Sequence, residues 1–269
     1  MNYTFGFIGT GNMGGALAVA AKKGNDEFSA LLADANSEKA AELANQLGCD
    51  SGEVKAVAEK CKYIFLGVKP QIMNLVIDEI APVLKARKDR FVLVSMAAGV
   101  SMSKITNMLG EDCPIIRIMP NVAAAVGEGM ILYTANDLVT DEEKAEFVSL
   151  MKCAGRFELL DEGLFDAGCA LSGSGPAFVF VFIEALADGA VSCGLPRAQA
   201  LSLAAQTVFG SAKLMQETGR HPADLKDSVC SPAGTTIAGV GALENADFRS
   251  AAIKAVKAAY NRSIELGKQ

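Results

Sequence analysis

The stretch Gly9-Thr10-Gly11-Asn12-Met13-Gly14 has the form G-x-G-x-x-G and decides how the first half of this chain folds. The apolar run Tyr3–Ile8 before it predicts a β-strand, and residues 15–23 after it predict a helix. A strand, a glycine-rich turn and a helix in this order are typical of a dinucleotide site. The three glycines then form the tight turn, leave room for a pyrophosphate, and let the helix pack closely. The alternative is a glycine-rich turn in another kind of βα unit.

An acidic residue stands where such a site needs one. Asp34 follows the apolar segment 28–33, which predicts a second strand, and lies 20 residues after Gly14. A carboxylate at this position can accept hydrogen bonds from the adenosine ribose. The alternative is that Asp34 caps the helix predicted over residues 37–47, and the two roles are compatible.

Buried-type strands alternate with helical segments through the rest of the first half. The further predicted strands are 63–68, 91–96, 115–119, 129–134 and 155–159. This alternation predicts a parallel, doubly wound α/β sheet of the Rossmann type over residues 1–160.

From residue 161 onward strand signals nearly vanish, so residues 161–269 are predicted to form an all-α domain. The predicted helices are 175–192, 197–217, 223–229, 234–243 and 246–266. Several are apolar on more than one face, which predicts a homodimer through this domain and allows a higher oligomer.

Composition limits which binding partners and which cellular compartment are expected for this chain. A net charge of -6 argues against nucleic acid and anionic membranes. The apolar run 177–183 is shorter than the about 20 residues that span a bilayer. Seven cysteines without a C-x-x-C pair indicate free thiols in a reducing cytoplasm. No metal site is predicted, because the single histidine, His221, precedes Pro222 at a helix start and suits a structural role.

Two small-residue loops in the second half open helices. The loop Ser231-Pro232-Ala233-Gly234-Thr235-Thr236 exposes backbone N–H groups and two threonine hydroxyls, which suits a small carboxylate. Its alternative is an ordinary Ser/Thr helix cap. The loop 171–177, Leu-Ser-Gly-Ser-Gly-Pro-Ala, similarly opens a helix and is a second candidate site. The alternative is that its small residues serve only close helix packing and capping.

Seven ordered stretches along nearly the whole chain resemble the pyrroline-5-carboxylate reductase family. They are FIGTGNM (7–13), VKP (68–70), AAGV (97–100), RIMPN (117–121), LSGSGPAF (171–178), the segment 188–197, and the segment 221–236 that ends in SPAGTT. The last is close to the family's signature and is highly specific.

The resemblance implies a Rossmann domain followed by a helical dimerisation domain. It implies reduction of the cyclic imine L-1-pyrroline-5-carboxylate to L-proline by hydride transfer from NAD(P)H, with NADPH the expected cofactor. The substrate carboxylate would be held by Ser231, Gly234, Thr235 and Thr236. Besides Asp34, the cofactor site would be lined by Ile8, Gly9, Thr10, Gly11, Asn12, Met13, Val68, Lys69, Pro70, Met96, Ala97, Ala98 and Asn121.

Three of these assignments carry hypotheses or alternatives of their own. The Thr236 hydroxyl is hypothesised to bond the ring nitrogen and relay a proton from water. Lys69 would lie beside the cofactor, the alternative being an exposed lysine at a strand end. Asn121 would lie near the nicotinamide, the alternative being a turn after Pro120.

Three positions depart from the family pattern. Ala233 replaces a usual glycine, which is harmless only if its φ is negative. Val54 stands where many members carry an asparagine near the adenosine. Asp34 would repel a 2′-phosphate, although Asn36, Ser37 and Lys39 partly compensate, so we expect weak discrimination with appreciable use of NADH.

Two other functions compete with this interpretation. A β-hydroxyacid dehydrogenase of the 6-phosphogluconate type would need a catalytic lysine soon after a glycine-rich helix start, and residues 178–182 contain none. A non-catalytic nucleotide-sensing protein would not need the loop at residues 231–236.

Overall fold

The computed structural model describes residues 3–267, and their strands form one eight-stranded sheet in the order β3-β2-β1-β4-β5-β6-β7-β8. The strands are β1 (Tyr3–Ile8), β2 (Ala30–Ala33), β3 (Asp50–Ser51), β4 (Cys61–Leu66), β5 (Val92–Ser95), β6 (Ile115–Met119), β7 (Gly129–Ala135) and β8 (Gly155–Leu159). Neighbours from β3 to β6 are parallel, β7 runs antiparallel to β6, and β8 is parallel to β7.

Helices connect these strands. They are α1 (Asn12–Gly24), α2 (Ser37–Leu47), α3 (Val54–Lys60), α4 (Met73–Ala86), α5 (Met102–Leu109), α6 (Asp141–Leu150) and the short α7 (Phe165–Gly168). Local chemistry sets several ends: Asn36 caps α2 by accepting from Lys39 N–H, and Thr140 with Glu143 forms a capping box on α6. Gly48, at φ 68°, ends α2 in the left-handed region.

Each face of the sheet has its own apolar core. Phe7 and Phe65 pack on one face, with residues of α1, α2 and α6. Ile64 and Leu66 pack on the other face, with residues of α3, α4 and α5. Successive strand residues point to opposite faces. The structure therefore confirms the doubly wound α/β prediction.

The second half is helical, with α8 (Gly175–Ser192), α9 (Arg197–Thr218), α10 (Pro222–Val229), α11 (Thr235–Asn245) and α12 (Phe248–Gly267). Contacts divide the chain into two compact units. The first runs through Gly173 and takes up the chain again from Tyr260, and the second is Ser174–Ala259. The helix α12 therefore belongs partly to each unit.

The second unit has a small core of its own, formed by Ala187, Ala200 and Ala204. Large apolar side chains stay exposed in a single copy, among them Phe180 at 62% and Leu203 at 57%. The run predicted to be too short for a bilayer lies within the helical segment Glu162–Ser192, which is long and apolar enough to cross one by length and composition alone. A helix whose apolar faces are covered by another protein surface has the same length and composition as one that spans a membrane.

The sequence missed three features of the first unit. The strand β3 is two exposed residues long and has no apolar signal. The antiparallel direction of β7 depends on its pairing with β6 and not on its composition. The helical turns between Glu162 and Gly173 include a π-helical turn, Cys169–Gly173. Its hydrogen bonds join residues five apart, and no simple sequence pattern predicts them.

The stacked rings of Phe7 and Phe65 are a place where the core on the first face can be tested by substitution. Their centroids lie 4.4 Å apart and both side chains are fully buried. We expect Phe65→Ala to lower the free energy of unfolding by about 3–5 kcal/mol, because it removes buried area and leaves a cavity. The measurement is chemical denaturation. As a control, Leu75→Ala on the exposed face of α4 should change stability by less than about 0.5 kcal/mol, and equal effects of the two would contradict this assignment of the core.

Candidate active site

The carboxyl ends of β1, β2 and β4 meet at the glycine-rich turn. Gly9 N–H donates to Ala33 O (2.7 Å), and Gly67 N–H donates to Ile8 O (2.8 Å). Gly9 has a φ of +96°, and a Cβ on it would lie 2.6 Å from Gly67 O. A Cβ on Gly14 would lie 2.1 Å from Gly9 O. These glycines are therefore required by the fold itself, since backbone contacts this close leave no space for a side chain.

Gly11 differs from its neighbours in the turn. A Cβ built on it meets nothing within 4 Å, so open space lies against this residue. Gly11 is also the N-cap of α1, and the first turn of that helix has no side-chain cap and no acidic residue. The helix N-terminus thus keeps its N–H groups and positive dipole end for an anion. This arrangement fits the diphosphate of a dinucleotide.

Asp34 is held against the same turn. Its Oδ2 accepts from Thr10 N–H (2.7 Å) and from the Thr10 hydroxyl (3.0 Å), and its Oδ1 accepts from Asn36 N–H (3.0 Å). Burial opposes ionisation, but these hydrogen bonds outweigh it and hold the Asp34 pKa below its usual value. Capping of α2 belongs to Asn36, whose Oδ1 accepts from Lys39 N–H. Asp34 is therefore an ionised, fixed carboxylate beside the turn, and it does not cap α2.

The next two strand ends carry the other candidate cofactor residues. Val68 is half-buried, Lys69 is exposed, and Pro70 begins a 3-10 turn, Pro70–Ile72. After β5, Met96 is half-buried, Ala97 is buried and Ala98 is exposed. Pro70 and Ala98 line one cavity of about 460 Å3, which the α12 residue Leu266 also lines. The two loops are thus brought together at the carboxyl edge of the sheet.

Asn121 uses both ends of its amide within the protein. Its Oδ1 accepts from Ala123 N–H (3.2 Å), which caps the 3-10 turn Val122–Val126. Its Nδ2 donates to Ser172 O (3.0 Å) in the π-helical turn. The turn after Pro120 is therefore present, and the side chain also anchors a segment about fifty residues away.

The candidate substrate loop is built around the start of α11. Gly234 is the N-cap of α11 and donates its N–H to Ser231 O (3.0 Å). A Cβ on Gly234 would lie 2.2 Å from Ser231 Oγ, so the hydroxyl lies against this glycine. No side chain caps α11, and its first turn, which begins with Thr235 and Thr236, contains no acid. The ordinary Ser/Thr cap is thus not formed, and the helix start can bind a carboxylate.

The departures from the family pattern have structural consequences. Ala233 has a φ of +56°, so its backbone is in the left-handed region, where a methyl side chain is strained and glycine is favoured. Val54 is the first residue of α3 and packs against the core on the second face. His221 caps α10, because its Nδ1 accepts from Ala223 N–H (3.2 Å). Within residues 3–267 no group of three potential metal ligands is found.

The structure groups the predicted residues into two sets. The candidate cofactor residues lie at one edge of the sheet in the first unit, and residues 231–236 lie in the second unit. Sequence reasoning missed Gly67, although a glycine at a strand end was a usable signal. It also missed the end of α12, where a Cβ on Gly99 would lie 3.3 Å from the Cα of Gly267. Nothing in the local sequence announces that contact.

A doubly wound sheet with this turn, an uncapped α1 and an ionised acid after β2 defines a dinucleotide-dependent oxidoreductase. Residues 4–99 match the family described as NADP oxidoreductase, coenzyme F420-dependent, and residues 162–266 match pyrroline-5-carboxylate reductase dimerisation. The chain is 44% identical to the pyrroline-5-carboxylate reductase of Escherichia coli over 100% of both chains. It belongs to the pyrroline-5-carboxylate reductase family.

Solved structures agree with this assignment. The pyrroline-5-carboxylate reductase of Coxiella burnetii matches with a TM-score of 0.90 and 31% identity, covering 99% of each chain. The Plasmodium falciparum pyrroline carboxylate reductase, solved with NADP bound, matches with a TM-score of 0.84 and 30% identity, covering 99% of this chain and 98% of that one. Neither competing function is favoured by these likenesses.

Ala233 offers a test of the loop geometry. We expect Ala233→Gly to raise the free energy of unfolding by about 0.5 kcal/mol, because relief of left-handed strain exceeds the added chain entropy. Ala238→Gly, inside α11, should instead lower it by about 1 kcal/mol. Thermal unfolding of the two variants measures the difference, and a loss of stability in both would show that residue 233 does not carry this strain.

Proposed function

We propose that this chain reduces L-1-pyrroline-5-carboxylate to L-proline with a hydride from NAD(P)H. The observation that carries the proposal is the loop 231–236, the stretch most specific to the family, at the uncapped start of α11. Full-length likeness to reductases of this name supports it.

The residues of the loop have separate tasks. The N–H groups at the start of α11, with the hydroxyls of Ser231 and Thr235, hold the substrate carboxylate. This fixes the ring so that its C=N carbon is oriented for reaction, and orientation supplies much of the rate. The Thr236 hydroxyl hydrogen-bonds the ring nitrogen and passes it a proton from water. The carbon gains a hydride and the nitrogen a proton, which balances reduction of the imine to the amine.

The first unit holds the cofactor. Gly11 and the start of α1 fit the diphosphate, and Asp34 fits the ribose hydroxyls. Val68, Lys69, Pro70, Met96, Ala97 and Ala98 line the remainder of the site. When bound, NAD(P)H supplies the hydride, which is the chemistry of the cofactor and not of any side chain.

The assay distinguishes the three candidate functions. The protein is mixed with NADPH or NADH and pyrroline-5-carboxylate, and the loss of reduced-nicotinamide absorbance is followed. Oxidation with this imine supports the proposal. Oxidation only with the oxo partner of a hydroxyacid would favour a hydroxyacid dehydrogenase, and none with either would favour a sensor.

Thr236 is the residue whose hydroxyl carries the proton. We expect Thr236→Ala to lower kcat about 100-fold, the usual scale of a lost proton-transfer group. Thr236→Ser keeps the hydroxyl and should stay within about tenfold of the wild type. Thr218→Ala is the control, because the exposed hydroxyl of Thr218 only donates to Leu214 O and accepts from Arg220 N–H at the end of α9, outside the loop 231–236. Unchanged turnover in Thr236→Ala would remove this residue from the mechanism.

Asp34 sets the choice of cofactor. Its ionised carboxylate repels a 2′-phosphate, so we expect NADPH to be preferred less than about 100-fold in kcat/KM, or roughly 2.7 kcal/mol. Asp34→Ser should shift the ratio toward NADPH by about tenfold, and Asp26→Ser, an exposed acid after α1, should leave it unchanged. A wild-type preference above that limit, or no shift in Asp34→Ser, would contradict this role.

The second unit forms a homodimer, on which higher oligomers could be built. The matched dimerisation family covers this part of the chain, and exposed apolar residues such as Phe180 and Phe209 need a covering surface. We expect Phe180→Asp to convert dimer to monomer in sedimentation at micromolar concentration, because it places a charge in that surface. Leu75→Asp on α4 should leave the dimer intact. A wild-type monomer at high concentration would refute the assembly.

The enzyme works in the cytoplasm without a membrane or nucleic-acid partner. All seven cysteines are free thiols, and burial raises the pKa of Cys61 and of Cys113 to about 12. Unpaired thiols suit a reducing compartment, and burial makes these two unreactive. Recovery of the protein in the membrane fraction of cells would contradict the placement.

A further inference from the structure

The chain between the sheet and α8 contains a carbonyl that its own helix cannot satisfy. In a continuous α-helix, Ser172 O would accept from the N–H of residue 176, four positions later. Residue 176 is proline, which has no N–H. Ser172 lies in the π-helical turn Cys169–Gly173, where its partner would be the N–H of residue 177. That N–H donates to Ser174 O (3.1 Å) at the start of α8, which begins at Gly175.

The donor comes from the end of β6 instead. Asn121 Nδ2 donates to Ser172 O at 3.0 Å, in a partly buried setting. The same asparagine keeps its Oδ1 for Ala123 N–H. One side chain thus caps the turn after β6 and replaces the missing donor of Pro176.

A second anchor joins the same strand to the same segment. Arg117, in β6, is buried, and its Nη1 donates to Glu162 Oε1 (2.9 Å). That oxygen also accepts from Met102 N–H (2.8 Å), at the start of α5. The guanidinium lies 4.7 Å from the centre of the Phe165 ring. Residues 162–173, here called the connecting segment, are therefore held at both ends by side chains of the RIMPN stretch.

We propose that Asn121 is a positioning residue, whose amide replaces the N–H that Pro176 lacks and so fixes the last turn before α8. The inference rests on the proposed function, because it assigns Asn121 a task in imine reduction. It also gives Asn121 a different task from contact with the nicotinamide. The loss of this hydrogen bond changes how the connecting segment is held and leaves the cofactor residues of β1, β2 and β4 in place.

The test is a double-mutant cycle between residues 121 and 176. Asn121→Ser keeps an acceptor for the cap and removes the donor to Ser172. Pro176→Ala restores an N–H at the position that an α-helix pairs with Ser172 O. Asn136→Ser is the matched control, because Asn136 also bridges a backbone N–H (Ile115) and a carbonyl (Cys113), at the other end of β6.

We expect Asn121→Ser to lower kcat about tenfold, because a small displacement of a positioning segment is enough to cost this much in rate, with the Kd for NADPH within about twofold of the wild type. In the Pro176→Ala background the same change should cost at most about twofold. Asn136→Ser should lower the thermal midpoint and leave kcat unchanged. Equal losses in both backgrounds, or a Kd for NADPH that rises about tenfold, would overturn the positioning role.

Hydrogen exchange gives a readout that does not depend on catalysis. Peptides covering residues 169–178 should exchange faster in Asn121→Ser and recover in the double variant. Unchanged exchange would overturn the proposal even in an active enzyme. If the wild-type protein does not reduce the imine but the variants show this exchange pattern, the proposed function is overturned and the role of the hydrogen bond stands.

Discussion

The first unit depends on the close approach of three backbone segments at Gly9, Gly14 and Gly67. A Cβ at any of these would lie within 2.6 Å of a carbonyl oxygen of the neighbouring backbone. The contact joins β1 to β4 and seats α1 directly over the turn. It also determines where the N-terminus of α1 opens, since a helix pushed outward by a methyl group would carry its N–H groups away from the turn. Stability and cofactor binding therefore rest on one steric constraint.

Two helix starts in this chain share one electrostatic design. The helices α1 and α11 each begin at a glycine N-cap, with no side-chain cap and no acid in the first turn. By contrast, α2, α5 and α6 begin at Asn36, Ser101 and Thr140, whose side chains accept from the first turn. A glycine N-cap in place of a side-chain cap forgoes only about 0.3 kcal/mol of local stability. In the proposed reaction both uncapped starts face anions, the diphosphate of the cofactor and the carboxylate of the substrate, which offset that cost.

The end of β6 shows why a residue type does not settle a residue's role. The sequence pattern assigned Asn121 to the cofactor site or to a turn; in the structure its Oδ1 caps that turn, and its Nδ2 donates to Ser172 O about fifty residues away. Arg117, which drew no prediction of its own, is a buried cation paired with Glu162. Such a pair adds little net stability, because desolvation opposes the attraction between the charges. The RIMPN stretch therefore connects the sheet to the segment that leads into α8.

The sequence by itself determined the doubly wound sheet, the helical second half and the family, because periodicity, glycine positions and the loop 231–236 are local signals. It also placed several boundaries at the observed residues, including β6 (Ile115–Met119) and α8 (Gly175–Ser192). Only the tertiary structure decided the direction of β7, the division of α12 between two units, and the partner of Ser172 O. It also decided that Asn36, and not Asp34, caps α2. These features depend on hydrogen bonds and contacts between residues distant in the chain, and no local pattern of residues specifies which distant partner a polar group will find.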